Sequence, residues 1–134
     1  MSLFSILDVA GSALTAQSQR LNTTASNLAN ADSATSSTGQ PYRAKQVVFS
    51  AQPVAGDSVG VRVTDVVQDQ TAPRRVHDPR HPLADKDGYV EMPNVNVIEE
   101  MVNMISASRS FEANATAFNT AKEMARASLK LGEA

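Results

Sequence analysis

Apolar and small residues recur at alternating intervals of four and three along the first thirty residues of the chain. This is the period of a coiled-coil seam, and it predicts a helix from about Ser2 to Ala31. Ala10, Gln17 and Thr24 are weak positions in this series. Its strong positions, which we predict to pack against other helices, are Leu3, Leu7, Leu14, Leu21 and Leu28.

The same alternation returns near the other end and predicts a second helix from about Asn96 to Leu131. Asn96 followed by Glu99 is close to a capping box, and Gly132 is a natural stop. The series also contains Ser108, Ala115, Lys122 and Ala125. The side chains that we expect to form its packing seam are Val97, Met101, Met104, Phe111, Phe118 and Leu129.

The segment between the helices has a different pattern. Small polar residues from 31 to 41 indicate a loop, and two stretches, Tyr42–Phe49 and Val59–Val67, are predicted strands. The second of these alternates valine with other residues, as expected of a half-buried strand. All six prolines lie between Pro41 and Pro93. We therefore expect residues 77–93 to be irregular and rich in turns.

These patterns predict a mainly α fold with long N- and C-terminal helices, paired as an antiparallel coiled coil. A small insert, rich in β-structure and loops, separates them. The expected division is residues 1–35 for the first helix, 36–94 for an insert that faces outward, and 95–134 for the second helix.

Charge is distributed unevenly over these regions. Residues 1–35 contain only Asp8, Arg20 and Asp32, whereas residues 36–94 contain seven acidic and seven basic side chains. A buried hydroxyl or amide needs only a hydrogen bond, but a buried charge is costly unless it is paired. The Ser, Thr, Asn and Gln face of the first helix therefore predicts that neighbours cover it on several sides. Two helices offer too little surface for this, so we expect other subunits to supply the rest.

Composition excludes several classes of protein. The net charge of −2 gives no electrostatic case for nucleic-acid binding, and the absence of Cys excludes disulfides and thiolate metal sites. No basic residue precedes the first apolar run, and no run approaches the roughly 20 residues that cross a bilayer. We expect a soluble chain made without a cleaved leader and without direct membrane insertion.

The proline-rich segment contains the residues that most resemble a chemical site. His77 and His81 lie four apart, but Pro79 and Pro82 prevent the helix in which that spacing would suit zinc. Asp85–Gly88 begins like a calcium loop and lacks the later ligands, so a plain turn is the better interpretation. We expect a loop that contacts a neighbouring subunit and no cofactor. Its candidate residues are Arg74, Arg75, His77, Asp78, Arg80, His81, Asp85 and Tyr89.

No Ser or Thr is accompanied by a base and an orienting acid, so an enzyme is not expected. A hydrolase using the histidine-containing loop is the remaining catalytic alternative. The Met and Phe stripe of the second helix is interpreted as core or seam rather than as a ligand groove.

Three stretches together resemble the bacterial flagellar basal-body rod proteins. They are SALTAQSQRLNTTASNLANADS near the start, PYRAKQVVFSA in the middle, and RVHDPRHPLADKDGYVEMPNVN continuing into ASRSFEANATAFNTAKEM. The resemblance covers nearly the whole chain. Within the family, DPRHPLADKDGYVEMPNVN points to a proximal-rod subunit.

The resemblance implies a structural subunit of the hollow axial rod, which transmits torque from the motor's membrane ring to the distal rod and hook. It implies export through the flagellar type III apparatus without a cleaved signal and assembly in the periplasm. The implied partners are other rod subunits and the adaptor between the rod and the membrane ring. Another rod subunit, or a stand-alone helical-hairpin adaptor or chaperone, remains the alternative.

Overall fold

A computed structural model describes residues 2–35, 39–54 and 56–133. The elements follow in the order α1 (Leu3–Ala29), β1 (Lys45–Pro53), β2 (Val59–Gln68), β3 (Arg74–His77), β4 (Tyr89–Met92) and α2 (Val97–Gly132). Two long helices enclosing a small β-containing insert agree with the prediction. Part of the predicted polar loop, residues 36–38, lies outside the described residues.

Both helices begin at polar side chains that satisfy free backbone N–H groups. Ser2 caps α1 by accepting a hydrogen bond from the N–H of Ser5. Asn96 caps α2 by accepting from the N–H groups of Ile98 and Glu99. Such caps typically contribute about 1 kcal/mol each. Gly132, expected to stop the second helix, is instead its last residue, and Glu133 follows as the C-cap.

The insert consists of two antiparallel hairpins. Strands β1 and β2 pair from Lys45 opposite Gln68 to Pro53 opposite Val59, with a register shift between Val48 and Phe49. The first strand therefore begins three residues later than predicted and continues four residues further. It begins later because the N–H of Ala44 donates to Asn94 and the N–H of Tyr42 donates to the carbonyl of Ser33, rather than to a strand.

The second hairpin corrects the prediction of a wholly irregular segment. Strands β3 and β4 pair from Arg74 opposite Met92 to His77 opposite Tyr89. The two prolines that suggested irregular structure, Pro79 and Pro82, lie in the connection and not in the strands. Proline removes a backbone donor, so it disfavours the interior of a strand, but it is compatible with a strand end, as at Pro53, and with a turn between two strands.

A small core lies where the helices meet the insert. Ala31, Ala44 and Val95 form a buried cluster, with Tyr42 packed against it. The helices pack on each other, and α1 also contacts both β1 and β2. This core therefore joins the end of α1, the start of β1 and the start of α2.

Candidate assembly surfaces

Small side chains are among the most buried residues of both helices. Ala10 and Ala16 of α1 and Ala107 and Ala121 of α2 are all at most 5% exposed. Small residues let two helix backbones approach closely. The leucines predicted to form the seam of α1, which are Leu3, Leu7, Leu14, Leu21 and Leu28, are all half-buried.

The predicted seam of α2 is covered only in its middle. Met104, Phe111 and Phe118 are half-buried. At the ends of the helix, Val97 is 45% exposed, Met101 54% and Leu129 70%. The structure therefore leaves apolar side chains uncovered at both ends of α2.

The uncharged face of α1 is joined to the insert by one buried amide. Asn27 is 1% exposed, and its Nδ2 donates to the carbonyl of Lys45 at 2.8 Å. Its Oδ1 accepts from the N–H of Lys45 and from the hydroxyl of Tyr42, both at 2.9 Å. Because three bonds satisfy one buried side chain, Asn27 fixes the start of β1 on α1.

A second contact joins α1 to the other strand of this hairpin. Ser12 Oγ accepts a hydrogen bond from the N–H of Val61 at 3.1 Å and donates to the carbonyl of Val9 at 2.7 Å. Gly60 lies so close that a Cβ on it would be 2.5 Å from Ser12 Oγ. The glycine is required here by close approach of the strand to the helix.

These two contacts correct one inference from charge. We expected that only other subunits could supply the further partners of α1, but the hairpin of β1 and β2 supplies one from the same chain. The single cationic residue of α1, Arg20, lies in a cleft within the same chain. It lines a polar cleft of about 430 Å³ together with Lys45 and with Glu100 and Asn103 of α2.

Asn94 ties the two hairpins and the start of α2 together. Its Oδ1 accepts from the N–H of Ala44 at 2.8 Å, and its Nδ2 donates to Thr71 Oγ1 at 3.0 Å. Neither Asn94 nor Asn27 was among the residues singled out from sequence. The available signal for Asn27 was that asparagine is a poor helix former, so its presence in the last turn of α1 is consistent with a tertiary hydrogen bond, whereas Asn94 lies outside both helices and gave no such signal.

The candidate loop residues divide into two groups. Four of them form a cluster on the β3–β4 hairpin: Arg75 donates to Asp85 at 2.9 Å and lies over the ring of Tyr89, which packs edge-to-face on His77. The other four do not join it. Asp78 accepts from the N–H of Arg80, His81 accepts from the N–H of Leu83, and Arg74 lies 3.8 Å from Asp32 of the segment after α1.

Asp85 organises the turn of this hairpin. The hydrogen bond from the N–H of Tyr89, with those from the N–H of Asp87 and from Arg75, lowers the pKa of the Asp85 carboxyl below its usual 3.8. Gly88 has φ +79°, a conformation that favours glycine. Across the described residues, no group of three or more His, Asp or Glu side chains is placed to hold a metal ion.

Comparison with known proteins places the chain in a family. Residues 7–35 match the family model described as flagella basal body rod protein, and residues 86–131 match that of the flagellar basal body rod FlgEFG protein C-terminal region. The two matches fall on α1 with the turn that follows it, and on β4 with α2. Both helices thus carry the features of a structural, rod-forming class of protein.

Relatives that match the full length of the chain identify one kind of rod protein within this class. The flagellar basal-body rod protein FlgC of Escherichia coli O157:H7 is 58% identical, across 99% of this chain and all of the relative. FlgC of Salmonella typhimurium is 55% identical over the same shares. FlgC of Borreliella burgdorferi is 40% identical over 98% of each chain. The chain belongs to the FlgC family of flagellar basal-body rod proteins. Within the part of the chain that the structure describes, no helix is both long and apolar enough to span a bilayer.

Proposed function

We propose that this chain is a structural subunit of the flagellar rod, in its proximal part, and that it polymerises through α1 and α2. Family membership over the full length supports this. The observation that carries it is the incomplete cover of α2, whose apolar residues at both ends lack a partner within the described chain. Soluble monomers rarely leave such surfaces exposed unless another protein binds there.

We also propose that α1 and α2 pair antiparallel as the inner, helical part of the subunit, formed by residues 1–35 and 95–134. The cluster of Ala31 with Val95 places the end of α1 beside the start of α2. The shared cleft of Arg20 and Thr24 with Glu100 and Asn103 lies about two to three turns before Ala31 on α1 and about one to two turns after Val95 on α2. The order of these contacts supports the antiparallel direction.

In this proposal residues 36–94 form an outward-facing insert, although the first hairpin rests on α1. The second hairpin carries the charged and aromatic side chains suited to contacts with a neighbour. Those we propose for this role are Arg74, Arg75, His77, Asp78, Arg80, His81, Asp85 and Tyr89. The partners would be other rod subunits and the adaptor to the membrane ring. The chain would reach the periplasm through the type III export apparatus without a cleaved signal.

The proposed role is mechanical. A subunit in a hollow axial rod transmits torque by holding its neighbours, so the chemistry required is packing and hydrogen bonding rather than catalysis. FlgC relatives are named as rod proteins, which favours this role over an adaptor or chaperone acting alone. No cofactor is proposed.

The test is incorporation into rods in a strain whose own copy of the gene is deleted. Leu14→Asp and Leu21→Asp would each place a charge on the half-buried face of α1. We expect no motility and no chain in purified basal bodies, because an unpaired buried charge is costly. Asn22→Asp, at an exposed position of the same helix, is the control and should support swimming. Intact rods from both leucine variants would refute the proposal.

A further inference from the structure

The start of α2 carries an apolar patch formed by Val97, Ile98, Met101, Val102 and Ile105. Their exposures are 45%, 75%, 54%, 60% and 55%. The spacing of Ile98, Met101, Val102 and Ile105 puts them on one side of the helix, away from the buried Ala107. Isolated exposed apolar residues are normal, but five adjacent ones on one helix indicate a contact surface.

The other end of α2 extends past α1. Helix α2 has 36 residues and α1 has 27, so nine residues, about 13 Å, have no counterpart once the helices pair from the Ala31–Val95 cluster. We call residues 122–133, which contain this overhang and the residues next to it, the projecting end. Within it Met124 is 54% exposed, Leu129 70% and Leu131 80%.

We propose that the projecting end of one copy docks on the apolar patch of a second copy of this chain. The two surfaces match in length, since Val97 to Ile105 and Met124 to Leu131 each span about two helical turns. This inference rests on the proposed function and assigns the copy-to-copy surface within it.

Charge favours the same pairing. Glu99 borders the patch, in the first turn of α2, whereas Glu100 faces the cleft of Arg20 and Lys45. The projecting end carries Lys122, Arg126 and Lys130 at intervals of four, against Glu123 and Glu133, so it is net basic. Residues four apart share one face of a helix, so the three cations form a stripe that can lie along the acidic border. Arg109, one turn beyond the patch, can meet Glu123.

The position of the two surfaces allows the contact to repeat from one copy to the next. The patch and the projecting end are different surfaces at opposite ends of one helix, so each copy can use both at once. Such head-to-tail contacts generate rings or open filaments instead of closed dimers. Five apolar residues bury much less than the roughly 1,600 Å² of a standard stable interface, so the contact between two free chains is weak. Its total strength increases when many copies make the same contact in one assembly.

The absence of cysteine from the natural chain allows a clean test by oxidative cross-linking of the purified full-length protein. Chains carrying Val102→Cys are mixed with chains carrying Leu129→Cys and oxidised. We expect the mixed disulfide in about tenfold excess over that formed by Leu129→Cys with Ala113→Cys, because a disulfide requires Cβ atoms within about 4.5 Å. Ala113 is exposed on the same helix outside the patch, which makes it a matched control.

Two further variants sharpen the result. A chain carrying both cysteines should give a ladder of oligomers, whereas a mixture of the single variants should stop at dimers. Glu99→Lys should reduce the mixed disulfide, and Lys122→Glu with Arg126→Glu and Lys130→Glu in the partner should restore it. A product dominated by Val102→Cys homodimers, or equal to the Ala113→Cys control, would overturn the inference. This outcome is separate from the rod test, which Leu14→Asp decides without reference to the patch.

Discussion

The two hairpins of the insert are held in place by different chemistry. The β1–β2 hairpin is bound to α1 by buried, uncharged groups: the amide of Asn27, the hydroxyl of Ser12 and the close approach of Gly60. The turn of the β3–β4 hairpin is held by exposed side chains, with Asp85 bonded to Arg75 and to the backbone of Tyr89, although Val90 of β4 is only 2% exposed. The first hairpin therefore packs directly on α1, whereas the second, among the described elements, contacts neither helix.

The largest effect should come from Asn27→Ala. The change removes three hydrogen bonds and leaves the backbone groups of Lys45 without their partner inside the structure. We expect a loss of about 2–3 kcal/mol in the free energy of unfolding, after allowing for the better helix propensity of alanine. Urea unfolding followed by circular dichroism measures it. Asn22→Ala, at an exposed position on the same helix, should change little, and equal unfolding midpoints for the two variants would contradict the role given to Asn27.

A smaller effect is expected from Gly60→Ala. The new methyl group would meet Ser12 Oγ, so β2 must move from α1 at a cost of about 1–2 kcal/mol. Combining it with Ser12→Ala should cost less than the sum of the two single changes, since one clash is removed. Gly11→Ala, where the added methyl group has open space, should instead stabilise the helix by about 0.5–1 kcal/mol. Strict additivity of the Gly60 and Ser12 changes would refute the close contact.

The smallest and most local effect should come from Asp85→Asn in the second hairpin. Because the pKa of Asp85 is lowered in the folded chain, its carboxylate stabilises the turn at pH values above 3.8, and this contribution is lost as the pH falls through the lowered pKa. The protection of the Tyr89 and Asp87 amides from exchange, measured against the intrinsic exchange rate at the same pH, should fall in the variant and, for the natural chain, at low pH.

The free energy of global unfolding should change little in the Asp85→Asn variant, because the Arg75–Asp85 pair is exposed to solvent. Asp87→Asn is the control for charge. A shift in global unfolding as large as that of Asn27→Ala would show that the second hairpin is not separate from the rest.

The hairpins also differ in how far sequence could predict them. Alternating valines from Val59 to Val67 show the period of a strand over nine residues, and β2 begins at that first valine. Strands β3 and β4 have four residues each, too few for alternation to stand out, and the prolines between them suggested irregular structure. Pairing of such short strands depends on the Asp85 turn and on contacts between side chains, which no local pattern records.

The helices were predictable because their period is a local property repeated over many turns. The end of α2 was predicted almost to the residue. Which seam positions are covered could not be predicted, because cover depends on the neighbouring helix and not on the local pattern. Leu129 continues the pattern but is 70% exposed. Asn27 was missed because its partners, Tyr42 and Lys45, are 15 and 18 residues away along the chain.

The contact between α1 and the first hairpin is made by uncharged groups, and this determines how its stability responds to salt and to pH. Dissolved salt weakens the attraction between exposed charges, and acid removes the charge of a carboxylate. An amide bonded to a hydroxyl and to backbone groups has no charge to screen and no proton to gain in the ordinary range. The contact at Asn27 should therefore be equally stable in dilute and in saline surroundings, and at acidic and at neutral pH, whereas the Arg75–Asp85 pair should weaken in concentrated salt and in acid.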